Sequence, residues 1–255
     1  MSQEAYVNIE KADNGIATIT FFHPAHNSLP GDILKKLADT ITTAGNDDAV
    51  EVIILKSGGE RTFCAGASFT ELITIDDFDT GKKFFMGFAT VINACRKCPK
   101  IILGRVQGKA VGGGVGVASA VDYCFATKFA SIKLSELMVG IGPFVVGPAV
   151  ERKVGTSAFT QLAIDASEFY PATWAKEKGL FYEVFEDVTA MDARIQALAE
   201  KLINTNPEAR KLIKQATWTG TDHWDELLSE RAGMSGQLVL SDYTKKELAK
   251  YKDKV

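Results

Sequence analysis

The residues best placed to do chemistry lie in two glycine-containing runs, Phe63-Cys-Ala65-Gly66-Ala67 and Gly108-Lys-Ala-Val-Gly112-Gly113-Gly114-Val-Gly116. Each follows an apolar run that reads as a buried strand, Val52-Ile-Ile-Leu-Lys56 before the first and Ile101-Ile-Leu-Gly-Arg-Val106 before the second. Glycine at a strand end lets backbone N–H groups approach a ligand with no side chain in between. Two such loops at neighbouring strand ends can aim two donors at one oxygen. That is an oxyanion hole, and it implies chemistry on a carbonyl. An acid–base group stands further along. Glu136 follows the expected strand Ser131-Ile-Lys-Leu134 and precedes the apolar, glycine-containing Leu137-Met-Val-Gly-Ile-Gly142. A carboxyl in those surroundings is partly desolvated, which raises its pKa from about 4.3 toward the range where it can take and return a proton.

The elements that must position these residues follow from periodicity. Alternation in Tyr6-Val-Asn-Ile-Glu10 and Ile16-Ala-Thr-Ile-Thr-Phe21, across Asp13-Asn-Gly15, predicts a β-hairpin. Helical spacing covers Leu34 to Ala44 and Gly81 to Arg96, each leading into a strand, and Gly113 to Ala120 reads as a short helix of small residues close to a sheet. Tyr123-Cys-Phe-Ala126 is a further strand. Strands alternating with helices predict an α/β core with parallel strands. From Ala149 onward the signal becomes almost entirely helical, through Thr189 to Asn204, Pro207 to Trp218, His223 to Leu240 and Asp242 to Lys252.

Composition excludes several function classes. The chain has 255 residues, 46% of them hydrophobic, enough for a large core with both sheet faces covered. A net charge of −3 gives no electrostatic reason to expect nucleic acid. No segment reaches the roughly 20 apolar residues of a membrane span, and the polar start is no secretory signal, so the expected setting is the cytoplasm, with no membrane contact. Cys95-Arg-Lys-Cys98 has redox or zinc spacing, but no second Cys pair or His cluster accompanies it, and no metal site is expected. Gly104 to Lys109 is one residue short of a phosphate loop and carries Ala110 where Ser or Thr would hold magnesium. Gly112-Gly-Gly-Val-Gly116 has Val117 in place of the last glycine of a dinucleotide fingerprint. His23 and His26 read as turn residues, and Asp122 as a structural acid. The lysine groups at Lys82-Lys83, Lys245-Lys246 and Lys250 to Lys254 are either solvated helix faces or a grip on a phosphorylated ligand.

In order and spacing, Phe63-Cys-Ala-Gly-Ala67, Val111-Gly-Gly-Gly114, Asp122 and Glu136 resemble the crotonase (enoyl-CoA hydratase/isomerase) superfamily. Asn27-Ser-Leu29, Ala175-Lys-Glu-Lys-Gly-Leu180 and the closing run from Ser241 to Lys254 extend the likeness over nearly the whole chain. The resemblance implies a crotonase-like fold of repeated ββα units, with residues 1–195 as the α/β core holding the active site. Residues 196–255 would then be a C-terminal helical oligomerisation region, in a homotrimer or a dimer of trimers. It implies an acyl-CoA substrate whose thioester oxygen is held by the N–H groups of Ala67 and Gly113, with Glu136 as acid–base. Ala65, Gly66, Ser68, Gly112 and Phe144 would line the substrate and coenzyme A site. No cofactor is implied beyond coenzyme A as part of the thioester.

One departure sets the expected reaction. Hydratases of the superfamily carry another glutamate two residues after the glycine triplet, where this chain has Gly116. Two carboxylates holding one water suit hydration. One carboxylate suits lifting a proton from one carbon and returning it two carbons away, so a 3-enoyl-CoA becomes a 2-enoyl-CoA. Ile141-Gly-Pro-Phe144 looks more like the isomerases' Ala-Pro-Phe, shifted by one residue, with a Phe144 ring that displaces water or belongs to the core. The alternatives are a hydratase using Glu136 alone, or with an acid from elsewhere such as Glu71, and a non-catalytic acyl-CoA binding protein.

Overall fold

The computed structural model describes residues 4–250. The expected hairpin forms: Tyr6–Lys11 and Ile16–Phe22 pair antiparallel with Tyr6 opposite Phe22, and the Asn14 side chain accepts from Ile16 N–H at 3.2 Å in the turn. Ile16–Phe22 then opens a parallel series through Val52–Ser57, Ile101–Val106, Tyr123–Thr127 and Glu183–Phe185. Parallel neighbours require a crossover, and helices supply it. Gly31–Gly45, Phe78–Lys97 and Gly113–Ala120 each precede the next strand of the sheet.

Alternate residues of these strands enter two separate apolar clusters. Ile53 and Leu55 pack with Leu34, Leu37, Ile41 and Ile92 from the crossover helices. Ile54, Leu103 and Phe125 pack with Met191, Ile195 and Ala199 of helix Val188–Ile203. Burial on both faces explains why the central strands read as continuous apolar runs.

A second sheet runs Tyr170–Pro171, Ser131–Lys133, Lys109–Val111 and Thr62–Cys64, and a two-stranded pair joins Ser28–Leu29 to Gly66–Ala67. Two short strands, one in each of the larger sheets, correct the expectation of an almost wholly helical stretch after Ala149. Tyr170–Pro171 and Glu183–Phe185 return to pair with Ser131–Lys133 and Tyr123–Thr127. Strands of two or three residues are too short to show a period.

Three helices close the described chain: Pro207–Thr217, Trp224–Leu238 and Asp242–Ala249. The expected extension of the last one to Lys252, and the lysines beyond it, fall outside the described residues. Trp224–Leu238 lies along Phe78–Lys97. Asp242–Ala249 sits on the turn Glu136–Val139, where Thr244 Oγ1 donates to the Gly140 carbonyl at 3.2 Å. Asp122 has the structural role read for it. Its carboxylate accepts from Ile102 N–H, from Lys214 Nζ, each at 2.8 Å, and from the Trp218 indole at 2.9 Å, tying sheet to helix. Lys214 is only 2% exposed, so its charge depends on that partner. Among the described residues no helix is long and apolar enough to cross a membrane.

Candidate active site

Both glycine-containing loops and Glu136 meet at one cavity of about 430 Å³. Gly66–Ala67 is held at its edge by pairing with Ser28–Leu29, and Ser28 Oγ donates to Ala67 O at 2.8 Å. Gly113 begins its helix, so its N–H has no intrahelical acceptor and points out of the helix start. Between strand and helix, Gly112 turns the chain at φ 51° and ψ −115°, a region hostile to side chains. Its N–H donates to Lys133 O at 2.8 Å, which fixes the loop beside the strand that leads to Glu136.

Glu136 opens a short 3₁₀ turn ending at Gly140. The residue as a whole is half-buried, but its Oε2 is shut off from solvent and has no hydrogen-bond partner among the described residues. Oε1 lies so near Gly112 that a Cβ there would stand 3.0 Å from it. The carboxyl and the glycine loop are therefore neighbours. Burial pushes the carboxyl up from 4.5 to about 7, against a smaller lowering by its own backbone N–H. An orphaned, desolvated carboxylate beside a helix start whose first N–H groups lack intrahelical acceptors is a group suited to exchange protons with a ligand.

Of the other expected site residues, Ala65, Gly66, Gly112 and Phe144 line the cavity and Ser68 does not. Ser68 instead caps the short helix Phe69–Leu72, accepting from Glu71 N–H at 3.3 Å, a job that Ser does wherever a helix begins. Glu71, the acid considered as a second carboxylate, does not face the cavity either. It is absent from the cavity wall, and its carboxylate accepts from Gly31 N–H at 3.0 Å. The Cys64 thiol is buried and pushed up to about 12, which leaves it unreactive as a nucleophile. Burial also pushes Cys95 to about 12, and no cluster of His, Cys, Asp or Glu able to hold a metal occurs among the described residues.

Several wall residues carried no sequence signal. Ser235 arrives from the far C-terminal helix, and Phe88 packs under the Gly113 backbone. Val146 matters most. A Cβ at Gly116 would stand 2.6 Å from Val146 Cγ1, so the space beside Gly116 is occupied by a side chain that also lines the cavity.

A family model described as enoyl-CoA hydratase/isomerase matches residues 11–255. The short-chain-enoyl-CoA hydratase of Clostridium acetobutylicum is 32% identical over 212 residues, 82% of this chain and 80% of that protein. The trans-2-decenoyl-[acyl-carrier-protein] isomerase of Streptococcus mutans is 26% identical, covering 84% of each chain. A crystal structure of an enoyl-CoA hydratase from Bacillus halodurans superposes with a TM-score of 0.88 at 20% identity, over 96% of this chain and 99% of that one. Fold and sequence agree: this chain is an enzyme of the enoyl-CoA hydratase/isomerase family, the crotonase superfamily.

Proposed function

We propose that the protein isomerises a 3-enoyl-CoA to the 2-enoyl-CoA. One observation carries this reading. Among the described residues Glu136 is the sole carboxylate on the cavity wall, and Val146 occupies the place from which a second would reach. The N–H groups of Ala67 and Gly113 hold the thioester oxygen. Glu136 takes a proton from C2, the electron pair spreads over a dienolate whose charge rests on that oxygen, and the same carboxyl returns the proton to C4. Each aimed donor contributes about 3 kcal/mol to the transition state, so the pair supplies several powers of ten in rate. Phe144 and Val146 keep water from the reacting carbons. Coenzyme A enters as part of the thioester, and the step needs no metal or redox cofactor. The isomerase name of the Streptococcus mutans relative supports this assignment; the hydratase name of the Clostridium relative supports hydration by Glu136 alone as the second reading.

Purified protein offered 3-hexenoyl-CoA is expected to raise enoyl-thioester absorbance with no change in mass. Crotonyl-CoA is expected to remain unaltered. A gain of one water on crotonyl-CoA, with 3-hexenoyl-CoA untouched, would establish the hydratase instead.

The helices beyond residue 195 are assigned to oligomerisation, in a trimer or a pair of trimers. Helix Pro207–Thr217 supports this by leaving Leu212 53% and Ile213 60% exposed. Sedimentation equilibrium is expected to give three or six times the chain mass, with Ile213→Lys shifting it downward. A monomeric parent would end that assignment.

A further inference from the structure

The cavity wall holds a cation that the proton transfer does not use. Lys133 lies three residues before Glu136 and lines the same cavity. Its Nζ donates to Ser167 O at 2.7 Å and stands 5.1 Å from the centroid of the Phe169 ring. Lys109, on the adjacent parallel strand, places its own Nζ 4.9 Å from the same ring. Phe169 is 42% exposed, an apolar ring kept at the surface within about 5 Å of two ammonium groups. Among the described residues neither lysine forms an ion pair. The carboxylate next to Phe169 in sequence, Glu168, accepts from Ser167 Oγ instead.

A ring attracts one cation by about 0.5–1 kcal/mol at an exposed site, but two ammonium groups on one ring also repel each other. An anion between them relieves that repulsion. No hydrogen bond or ion pair joins Lys133 to Glu136 among the described residues: the ammonium donates to Ser167 O, and Glu136 Oε2 has no partner. Nor does Lys133 serve the oxyanion, which faces backbone donors. An ammonium on the cavity wall with no carboxylate partner is free to address another part of the ligand.

We infer that Lys133 on the cavity wall, with Lys109 beside it at the same Phe169 ring but outside that wall, binds an anionic group of the thioester that fills the cavity. The group is a phosphate of the carrier arm or a carboxylate borne by the acyl chain. This rests on the proposed reading that the cavity takes an acyl thioester, and not on which reaction follows. Lys133 is thus a specificity residue, selecting thioesters by charge at a distance from the reacting carbons.

Calorimetric titration with unreactive saturated ligands tests it: hexanoyl-CoA, hexanoylpantetheine without phosphate, and hexanedioyl-CoA with a terminal carboxylate. If phosphate is bound, Lys133→Gln weakens both coenzyme A esters about tenfold and leaves hexanoylpantetheine unchanged. If the acyl carboxylate is bound, only hexanedioyl-CoA loses affinity. Lys133→Arg is expected to keep most of the affinity, and all variants to keep the parent melting temperature. Equal affinities of parent and Lys133→Gln for all three ligands would overturn the inference, as would a parent that binds none of them. Because binding is read, a parent that binds these esters but never isomerises would refute the reaction alone.

Discussion

Replacing Glu136 by Gln is expected to lower turnover of the enoyl thioester by roughly 10³-fold while changing thioester affinity by no more than about threefold. The amide keeps the size and shape of the carboxyl but cannot accept the C2 proton. Its neighbours Gly112 and Gly113 need not move, so the oxyanion donors stay in place. The pH dependence follows from the same group. With the carboxyl raised to about 7 by burial, kcat/KM of the parent rises with pH through that value as the base form appears, then levels off. Stability runs the other way. The folded carboxyl holds its proton more tightly than the unfolded one at 4.5, so the native state binds more protons between about 4.5 and 7. Stability is therefore lost as pH rises across that window, by on the order of 3 kcal/mol in full. Glu136→Gln removes that loss, so its melting temperature relative to the parent should climb between pH 5 and pH 8, on a scale set by the linkage. A variant with more than a tenth of parental turnover, or an unchanged pH profile, would remove Glu136 from the role of base.

How much of this was legible beforehand depends on the length over which each feature repeats. Helices such as Phe78–Lys97 and Val188–Ile203 and strands such as Val52–Ser57 carry several periods, and they appear close to where spacing predicts them. Ser28–Leu29 and Gly66–Ala67 have two residues each and become strands only by finding each other, so pattern alone says nothing of them. The loops and Glu136 were readable because glycine runs and a carboxyl among apolar residues are unusual locally. Ser68 is ambiguous for an opposite reason. A small polar residue after a loop fits a ligand contact and a helix cap equally well, and the cap won when Glu71 N–H came within reach. Val146, Lys133 and Ser235 stayed hidden because their importance lies in what stands opposite them. A valine thirty residues from Gly116 has no local mark showing that it fills the glycine's empty flank.

That filled flank yields the second large effect. Gly116→Glu alone is expected to destabilise the fold by about 3 kcal/mol or more and to add no water to crotonyl-CoA. Its Cβ would meet Val146 Cγ1 at 2.6 Å and Val146 Cβ at 2.9 Å, with Ile92 Cδ1 at 3.4 Å behind, in a helix segment that is fully buried. Val146 is β-branched and its own Cβ is in the way, so a change of rotamer does not clear it. The clash forces this helix or the start of helix Gly147–Ile164, which Val146 precedes, to shift, and the carboxyl is left without water or partner. Val146→Ala alone costs about 1–3 kcal/mol by opening a small hole. Combined, each change repairs part of the other's damage: the shortened residue 146 admits the new side chain, and the side chain refills the hole. The pair should therefore be more stable than the sum of the singles predicts, by about 1–2 kcal/mol in a double-mutant cycle followed by denaturant unfolding. A carboxyl passing the shortened residue 146 reaches the cavity that Val146 now lines, opposite Glu136, so two acid–base groups face one ligand. Hydration of crotonyl-CoA, read as a mass gain of one water, is expected from the double variant and from neither single. Were Gly116→Glu by itself stable and able to hydrate, Val146 would not be the obstacle, and the absence of a second carboxylate would be a matter of residue identity alone. Strict additivity of the two stabilities would lead to the same conclusion from the packing side.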